Sequence, residues 1–429
     1  MKVFFIIVLE KQKLLWYTYI VVKLLLRNKF IALANSKQRQ KRGERMKSTV
    51  EIMMQCIKCE VFGCAKNDEY FETVSPEQWE SVLTLSEKHS LAHIIGNFVL
   101  ENKFVEEKEL KTNFGKKTFI ALQQFIKQNG EIKQIRQLFE KESIPYIILK
   151  GPALRKLYPI EWLRSSCDVD VLVENKFLEQ AKAVLEAQLG YSTKKTGFHD
   201  VSMYSPSKVH IELHFSILEH MENADPILNN VWSYATPVSD GKYEHQLSNE
   251  FLIFYILAHL CRHFVMGGCG VKPFIDLKLL LEKTDFDSER LNSLLIHSGL
   301  KTFFDKTVEL ANIWFGEQTH DRISRDFEEY VLKGGVYGTK ENKALSSQSS
   351  VGKGKTIFNR IFMPYESLRV RYHHKNIKKW QTPFYQIVRW IELLKEGSAK
   401  KGINELKLQT STDKNEIKKT RRMMKELGL

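Results

Sequence analysis

The run Asp-Val-Asp-Val-Leu-Val at 168–173 restricts the possible folds more than any other part of the chain. Its apolar residues alternate with a period of two, which is the signature of a strand. On a strand, Asp168, Asp170 and Leu172 share one face, and Val169, Val171 and Val173 share the other. The valine face reads as core. A carboxylate withdrawn from water beside such a core is costly unless something pairs with it. Asp168 and Asp170 are about 6.6 Å apart along the strand. Carboxylates at that spacing can lean onto two divalent cations held about 4 Å apart. Mg²⁺, a hard cation that takes oxygen ligands, fits that donor set.

A third acid comes from His-Ile-Glu-Leu-His at 210–214. Read as a strand, it turns His210, Glu212 and His214 to one side and Ile211 and Leu213 to the other. This is not the helical zinc-protease pattern. A strand-borne histidine–glutamate zinc site is kept as a minor alternative. For His210 and His214, the hydrogen-bonded structural role outweighs the ligand role. Upstream, Lys150-Gly151-Pro152 ends the short β-rich run Tyr146–Leu149 and opens a helix. Glycine at such a turn lets backbone N–H groups approach a phosphate. Lys150 adds positive charge at that edge, and Arg164 could brace a triphosphate. His259 and His263 lie four apart on a helix and share a face. With Asp276 they are candidate cleft residues, and a polar packing cluster is the plain alternative.

The reading is of an α+β protein, with a small mixed-sheet domain embedded between helical regions. Residues 46–140 are expected to be helical. Ser75, Pro76 and Gln78 give an N-cap, a first-turn proline and a capping-box partner. Residues 141–245 read as strand, helix, strand, helix and hairpin, with Gly190 closing the helix at 175–191. Helices return over 246–336. A Gly/Ser-rich mobile loop is expected at 337–356. Its Gly-Lys-Gly-Lys-Thr lacks the preceding strand and glycine of a P-loop. Helices follow over 357–394, where Phe384, Tyr385 and Trp390 read as core. Residues 395–429 read as a solvated charged tail.

The net charge of +14 is unevenly spread. Residues 1–45 carry 11 Lys/Arg against 2 Asp/Glu, 339–394 carry 11 against 3, and 395–429 carry 10 against 5, which leaves 46–338 at −8. The basic total therefore argues little for nucleic acid, since the body is acidic. Residues 1–45 are apolar and basic. The run 14–26 is shorter than the roughly 20 apolar residues a bilayer span takes. An anchor, an extension and an upstream stretch preceding a start at Met46 all fit, with Met46 preferred. Six cysteines show no secreted framework. Cys56, Cys59 and Cys64 are expected as small buried side chains, and a reducing, cytoplasmic setting fits.

The series "IPYIILKG…LYP…R…DVDVLV…IELH" resembles the minimal nucleotidyltransferases of the DNA polymerase β superfamily. More narrowly, it resembles the branch described as uncharacterised nucleotidyltransferase family proteins. The likeness extends to "LSEKHSLAHII" upstream, and to "HLCRHF…GG…FIDLKLLL" and "FMPYESLRVRYHH…PFYQIVRWI" downstream. Gly151, Asp168, Asp170 and Glu212 stand at the superfamily's motif positions. The resemblance implies that Asp168 and Asp170 hold two Mg²⁺ ions with an NTP, ATP by default. It implies that Glu212 completes one metal and helps activate an acceptor hydroxyl, with pyrophosphate released. Pro152 in place of the usual Gly or Ser, and a longer gap from Gly151 to Asp168, depart from the pattern at the triphosphate grip. The acceptor expected is a small molecule or a protein, with nucleic acid disfavoured. Two rival readings are a catalytically silent nucleotide- or partner-binding member and a membrane-associated helical protein anchored by residues 1–45.

Overall fold

A computed structural model of the chain describes residues 49–238, 241–351, 363–372, 375, 377–395 and 413–429. The extension 1–45, the start at Met46 and the segment 352–356 lie outside the described residues. So does the anchored-helix reading. Among the described residues no helix is long and apolar enough to cross a membrane.

Five helices precede the sheet: α1 (49–62), α2 (Asp68–Glu72), α3 (Pro76–Lys88), α4 (Ala92–Asn102) and α5 (Lys108–Lys141). The capping box at Ser75 forms as expected, with the Gln78 N–H donating to the serine hydroxyl and the Ser75 N–H donating to the Gln78 side chain. The sheet then follows in chain order as β1 (Tyr146–Ile148), β2 (Asp168–Val173), β3 (Ser192–Thr196), β4 (Asp200–Tyr204), β5 (His210–His214), β6 (Ala235–Pro237) and β7 (Glu244–Leu247). In space the order is β3-β4-β5-β2-β1-β7-β6, with mixed pairing. Helix α6 (Lys150–Arg155) follows β1, α7 (Leu178–Leu189) follows β2, and the short α8 (Asp225–Leu228) follows β5. Gly190 caps α7 in the left-handed region, at φ 68°. Five helices come next: α9 (Asn249–Val265), α10 (Lys272–Lys283), α11 (Ser288–His297), α12 (Lys301–Phe315) and α13 (Arg322–Gly334). The fold is α+β.

The alternation in β2 sorts its two faces as the residues dictate. Val169, Val171 and Val173 join Ile211 and Leu213 of β5 in an apolar core that α5 and α7 cover with Ile135, Phe139, Ala181 and Leu185. On the other face, Leu172 joins Ile147 and the larger core that links α1–α4 to α9–α13. That second core stops short of Asp168 and Asp170, so the acids lie at its margin.

Several expectations are corrected. Residues 337–356 are not a loop throughout, since Lys340–Val351 forms a helix, α14. Its polar residues misled because they are buried with partners. The Asn342 amide donates to the Tyr330 carbonyl at 2.8 Å, and the Ser346 hydroxyl donates to Val265 O at 2.7 Å. The charged tail carries a packed helix at Lys414–Glu426, which buries Ile417, Thr420, Met423 and Met424. Arg422 pairs with Asp326 of α13 at 2.7 Å. Its basic residues thus line one face of an amphipathic helix. Phe384 is exposed rather than core, while Tyr385 packs against Tyr372. The side chain of Trp390 lies outside the described residues. Cys56 is buried, but Cys59 and Cys64 are only partly so. Strands β3, β6 and β7 were not expected, because they are short strands with no apolar alternation, β3 and β6 at the two edges of the sheet and β7 beside β6.

Candidate active site

Strands β2 and β5 run parallel and side by side, with Asp168 opposite His210, Asp170 opposite Glu212, and Leu172 opposite His214. Period-two side-chain placement therefore puts two acids from one strand and an acid with two histidines from the next on a single face. Asp168, His210 and Glu212 form one set of candidate ligands, and Asp170, Glu212 and His214 form another. Within each set the ligand atoms lie within 4.8 Å of one another. Glu212 belongs to both, which is the arrangement a bridging carboxylate needs. Oxygen-rich sets of this kind suit Mg²⁺ or Mn²⁺.

The electrostatics of the face agree with a cation site. Burial lifts the Asp168 carboxyl to about 6, and the charges of Asp170 and Glu212 push the same way against Lys150 and His210. Three carboxyls so crowded repel one another, and the positive charges of Lys150 and His214 offset part of that repulsion. Asp170 goes the other way. Burial would raise it, but the Lys150 charge and a hydrogen bond from His214 hold it well below the usual carboxylate range. His214 Nε2 sits 2.8 Å from Asp170 Oδ1 and 3.4 Å from Glu212 Oε2. Burial pulls this imidazole down, yet those two acceptors lift it to about 9. Among the described residues its Nδ1 is buried without a partner. His210 Nε2 lies 2.8 Å from the Ser202 hydroxyl, and its ring stacks on Tyr204.

Lys150 stands at the β1–α6 turn with φ 37°, an unusual value for a residue with a side chain. Backbone strain of this kind costs about 1–3 kcal/mol and is common where a residue must be aimed. Its ammonium lies 5.4 Å from the centre of the Tyr255 ring on α9. Burial alone would lower it, but the neighbouring Tyr255, Asp170 and Glu219 raise it above its ordinary value. Glu219, which nothing in its sequence surroundings marked out, accepts from His259 Nδ1 at 2.7 Å. His263 stacks edge-on against His259, with ring centres 4.4 Å apart. Lys150, Glu219, His259 and His263 thus form a polar cluster whose charges are felt at Asp170 through Lys150 and His259.

Arg164 and Asp276 are brought together, though not in the roles expected of them. Arg164 donates from Nε and one terminal nitrogen to both oxygens of Asp276, at 2.7 and 2.8 Å, and from the other terminal nitrogen to Ser165 O at 2.9 Å. Both side chains are buried, and the Tyr158 hydroxyl donates to Asp276 at 2.8 Å. Arg164 is therefore committed to an internal ion pair rather than held open for a triphosphate, and Asp276 is its counter-charge rather than a cleft residue.

The same segment shows why the carboxylate strand starts where it does. Each carbonyl from 163 to 166 accepts from a side chain. His93 Nε2 reaches Leu163 O at 2.8 Å, and Arg155 Nε reaches Arg164 O at 3.5 Å. Lys272 reaches Ser165 O at 2.9 Å. Gln124 and Gln128 reach Ser166 O at 2.7 and 3.0 Å. Helices α4, α6, α10 and α5 thus fix the approach to Asp168. None of these clamps was legible beforehand, since each is a single polar residue on an ordinary helix.

The clamp residue His93 and its neighbour His89 set a pH dependence of stability. Burial pushes His93 down to about 3 and His89 down to about 4, from an ordinary 6.5. Both are neutral in the fold and become protonated more readily in the unfolded chain. Unfolding therefore takes up protons below pH 6.5, so stability is full above that value and falls as the pH drops toward 4. A loss of about 3 kcal/mol per histidine is expected across that window. Thermal melts from pH 7.5 to 4.5 check it, and His89→Gln should flatten the slope.

Gly151 is required by close packing. A Cβ there would lie 2.9 Å from Ser166 Oγ and 3.0 Å from its Cβ. The Ser166 hydroxyl itself donates to Asp168 O at 2.8 Å. Gly151→Ala is expected to lose about 1–3 kcal/mol by overpacking. Adding Ser166→Gly should recover part of it, as read by thermal shift.

A family model described as "Uncharacterised nucleotidyltransferase" matches residues 75–316, more than half of the chain. The match contains every residue of the carboxylate face and of both clusters beside it. No curated protein and no solved structure matches.

Proposed function

The chain belongs to the uncharacterised nucleotidyltransferase family, and from that membership we propose that it transfers a nucleoside monophosphate from an NTP to a hydroxyl. The observation that carries this reading is the convergence of Asp168, Asp170 and Glu212 on one face of β2 and β5. Divalent cations bound there supply Lewis-acid stabilisation of the attacking and leaving oxygens. Asp168, Asp170 and Glu212 would hold them, with His210 and His214 at the flanks. The hydroxyl oxygen forms a bond to the α-phosphorus, the bond from that phosphorus to the β-phosphate oxygen breaks, and pyrophosphate leaves with the electron pair. The Glu212 side chain is 28% exposed against 8% for Asp170, so Glu212 would receive the acceptor hydroxyl and its proton. Lys150 and the backbone turn at Gly151 would meet the triphosphate, and Lys150 also steadies Asp170. ATP is the default donor and Mg²⁺ the default ion, in the cytoplasm where both are abundant.

A catalytically silent nucleotide-binding protein is the second reading. Two observations favour it: Pro152 offers no backbone N–H at the phosphate turn, and Arg164 is engaged by Asp276. Incubation of the protein with a cell extract and either α-labelled or γ-labelled ATP separates the readings. Transfer predicts label on an acceptor from the α position alone, dependent on Mg²⁺ and lost in Glu212→Gln. Binding of Mg²⁺–ATP with no labelled product, or label from the γ position, would sink it.

A further inference from the structure

Two open grooves run along α5 and meet at Ile120, which lines both. The proximal groove, about 630 Å³, lies between α5 and the β4–β5 turn and is lined by Phe119, Lys127, Cys167, Tyr204, Lys208 and His210. Cys167 precedes Asp168 and His210 pairs opposite it, so this end abuts the carboxylate face. The distal groove, about 620 Å³, lies between α3 and the first half of α5. Five glutamates line it: Glu77, Glu80, Glu87, Glu107 and Glu109. Of its two lysines, Lys116 and Lys117, the second is paired with Glu87 at 2.7 Å.

The trough says what kind of occupant it suits. It is open along its length, whereas small-molecule sites bury most of their ligand. Phe119 and Ile120 are 61% and 58% exposed at its middle, which leaves apolar surface to receive side chains. Its two ends carry opposite charge, glutamates far from the acids and Lys127 and Lys208 beside them. A phosphate backbone would be repelled by the distal end. From Glu109 to Lys127 the helix rises about 27 Å, which about eight residues of extended chain would span.

We propose that the acceptor is a hydroxyl-bearing side chain of an extended polypeptide, with basic residues about eight positions from the modified Ser, Thr or Tyr. This rests on the nucleotidyl-transfer reading above and names its substrate class. The side-chain oxygen bonds to the α-phosphorus, the α–β phosphate linkage breaks, and pyrophosphate and the hydroxyl proton leave. The distal glutamates hold the basic residues, Phe119 and Ile120 seat the intervening side chains, and the lysines accept an acid beside the hydroxyl.

The test uses the full chain and two fluorescein-labelled peptides of about twelve residues. One carries Asp-Ser near one end and an Arg pair eight positions away, and the other has the Arg pair changed to Glu. Fluorescence anisotropy, without nucleotide or metal, is expected to show at least tenfold tighter binding of the first. The double variant Glu80→Lys with Glu109→Lys should abolish or invert that preference, and Phe119→Asp should weaken both peptides. Equal binding of the two peptides would overturn the proposal. So would a small-molecule acceptor labelled at an unchanged rate by the Phe119→Asp and Glu80→Lys/Glu109→Lys variants. A retained peptide preference with no α-label on any acceptor would remove the transfer chemistry and leave a peptide-binding groove.

Discussion

Asp170→Asn is expected to reduce nucleotidyl transfer about a thousandfold while leaving the fold in place. The substitution keeps the size of the side chain and removes its charge. Asp170 is buried, is ionised beside Lys150 and His214, and lies level with Glu212 on the neighbouring strand. No other residue on that face has both an ionised side chain and a place opposite the third acid. Losing several kcal/mol of charge stabilisation in the transition state corresponds to about three powers of ten in rate. The rate should fall in kcat, with nucleotide binding much less affected. His214 should respond as well. Its imidazole is lifted to about 9 chiefly by the Asp170 contact working against burial. In Asp170→Asn its proton should therefore come off at lower pH, which NMR titration of the histidines would register. A variant that keeps a tenth or more of the wild-type rate would remove Asp170 from the machinery.

The second large effect is on stability. Asp276→Ala leaves Arg164 as a buried cation with no counter-charge and strips the Tyr158 hydroxyl of its acceptor. Breaking one side of a buried pair costs about 3–5 kcal/mol, a large part of the 5–15 kcal/mol that holds a typical domain. Chemical denaturation should show the loss directly. Replacing both partners, Arg164→Met with Asp276→Leu, should recover much of it, because an apolar pair needs no desolvation of charge. The double variant also separates the roles of Arg164. If the arginine only positions the segment 163–166, transfer persists with an unchanged KM for NTP. If it binds triphosphate, KM rises even though the fold is restored.

The sequence made the carboxylate face legible because its signals are local. Asp168 and Asp170 announce themselves by interrupting an alternating apolar strand, and Glu212 by sitting between histidines on another. Strand period alone places each acid on a defined face. The pairing of Asp170 with Glu212 needs the two strands to lie parallel and in one register, and that depends on a crossover through α7 and β3–β4. Arg164 and Asp276 were both singled out, but their partnership was not, since 112 residues separate them. The clamps on 163–166 were invisible for the same reason. A lone His93, Gln124 or Lys272 on a helix has no pattern that distinguishes a loop-holding residue from a solvated one. In the C-terminal part, composition misled outright. Ser, Gln and Lys at 340–351 and 414–426 read as solvated chain, yet they pack through buried hydrogen bonds and ion pairs between helices.

Direct titration of Mn²⁺, followed by electron paramagnetic resonance with a non-hydrolysable NTP analogue present, tests the carboxylate face most plainly. The wild-type chain should bind two Mn²⁺ ions per molecule, with both weakened at least tenfold in Glu212→Gln, which belongs to both ligand sets, and one lost in Asp170→Asn, which belongs to one. Absence of bound Mn²⁺ in the wild type, or binding that neither substitution alters, would contradict the assignment of these three acids to cations and the transfer chemistry built on it.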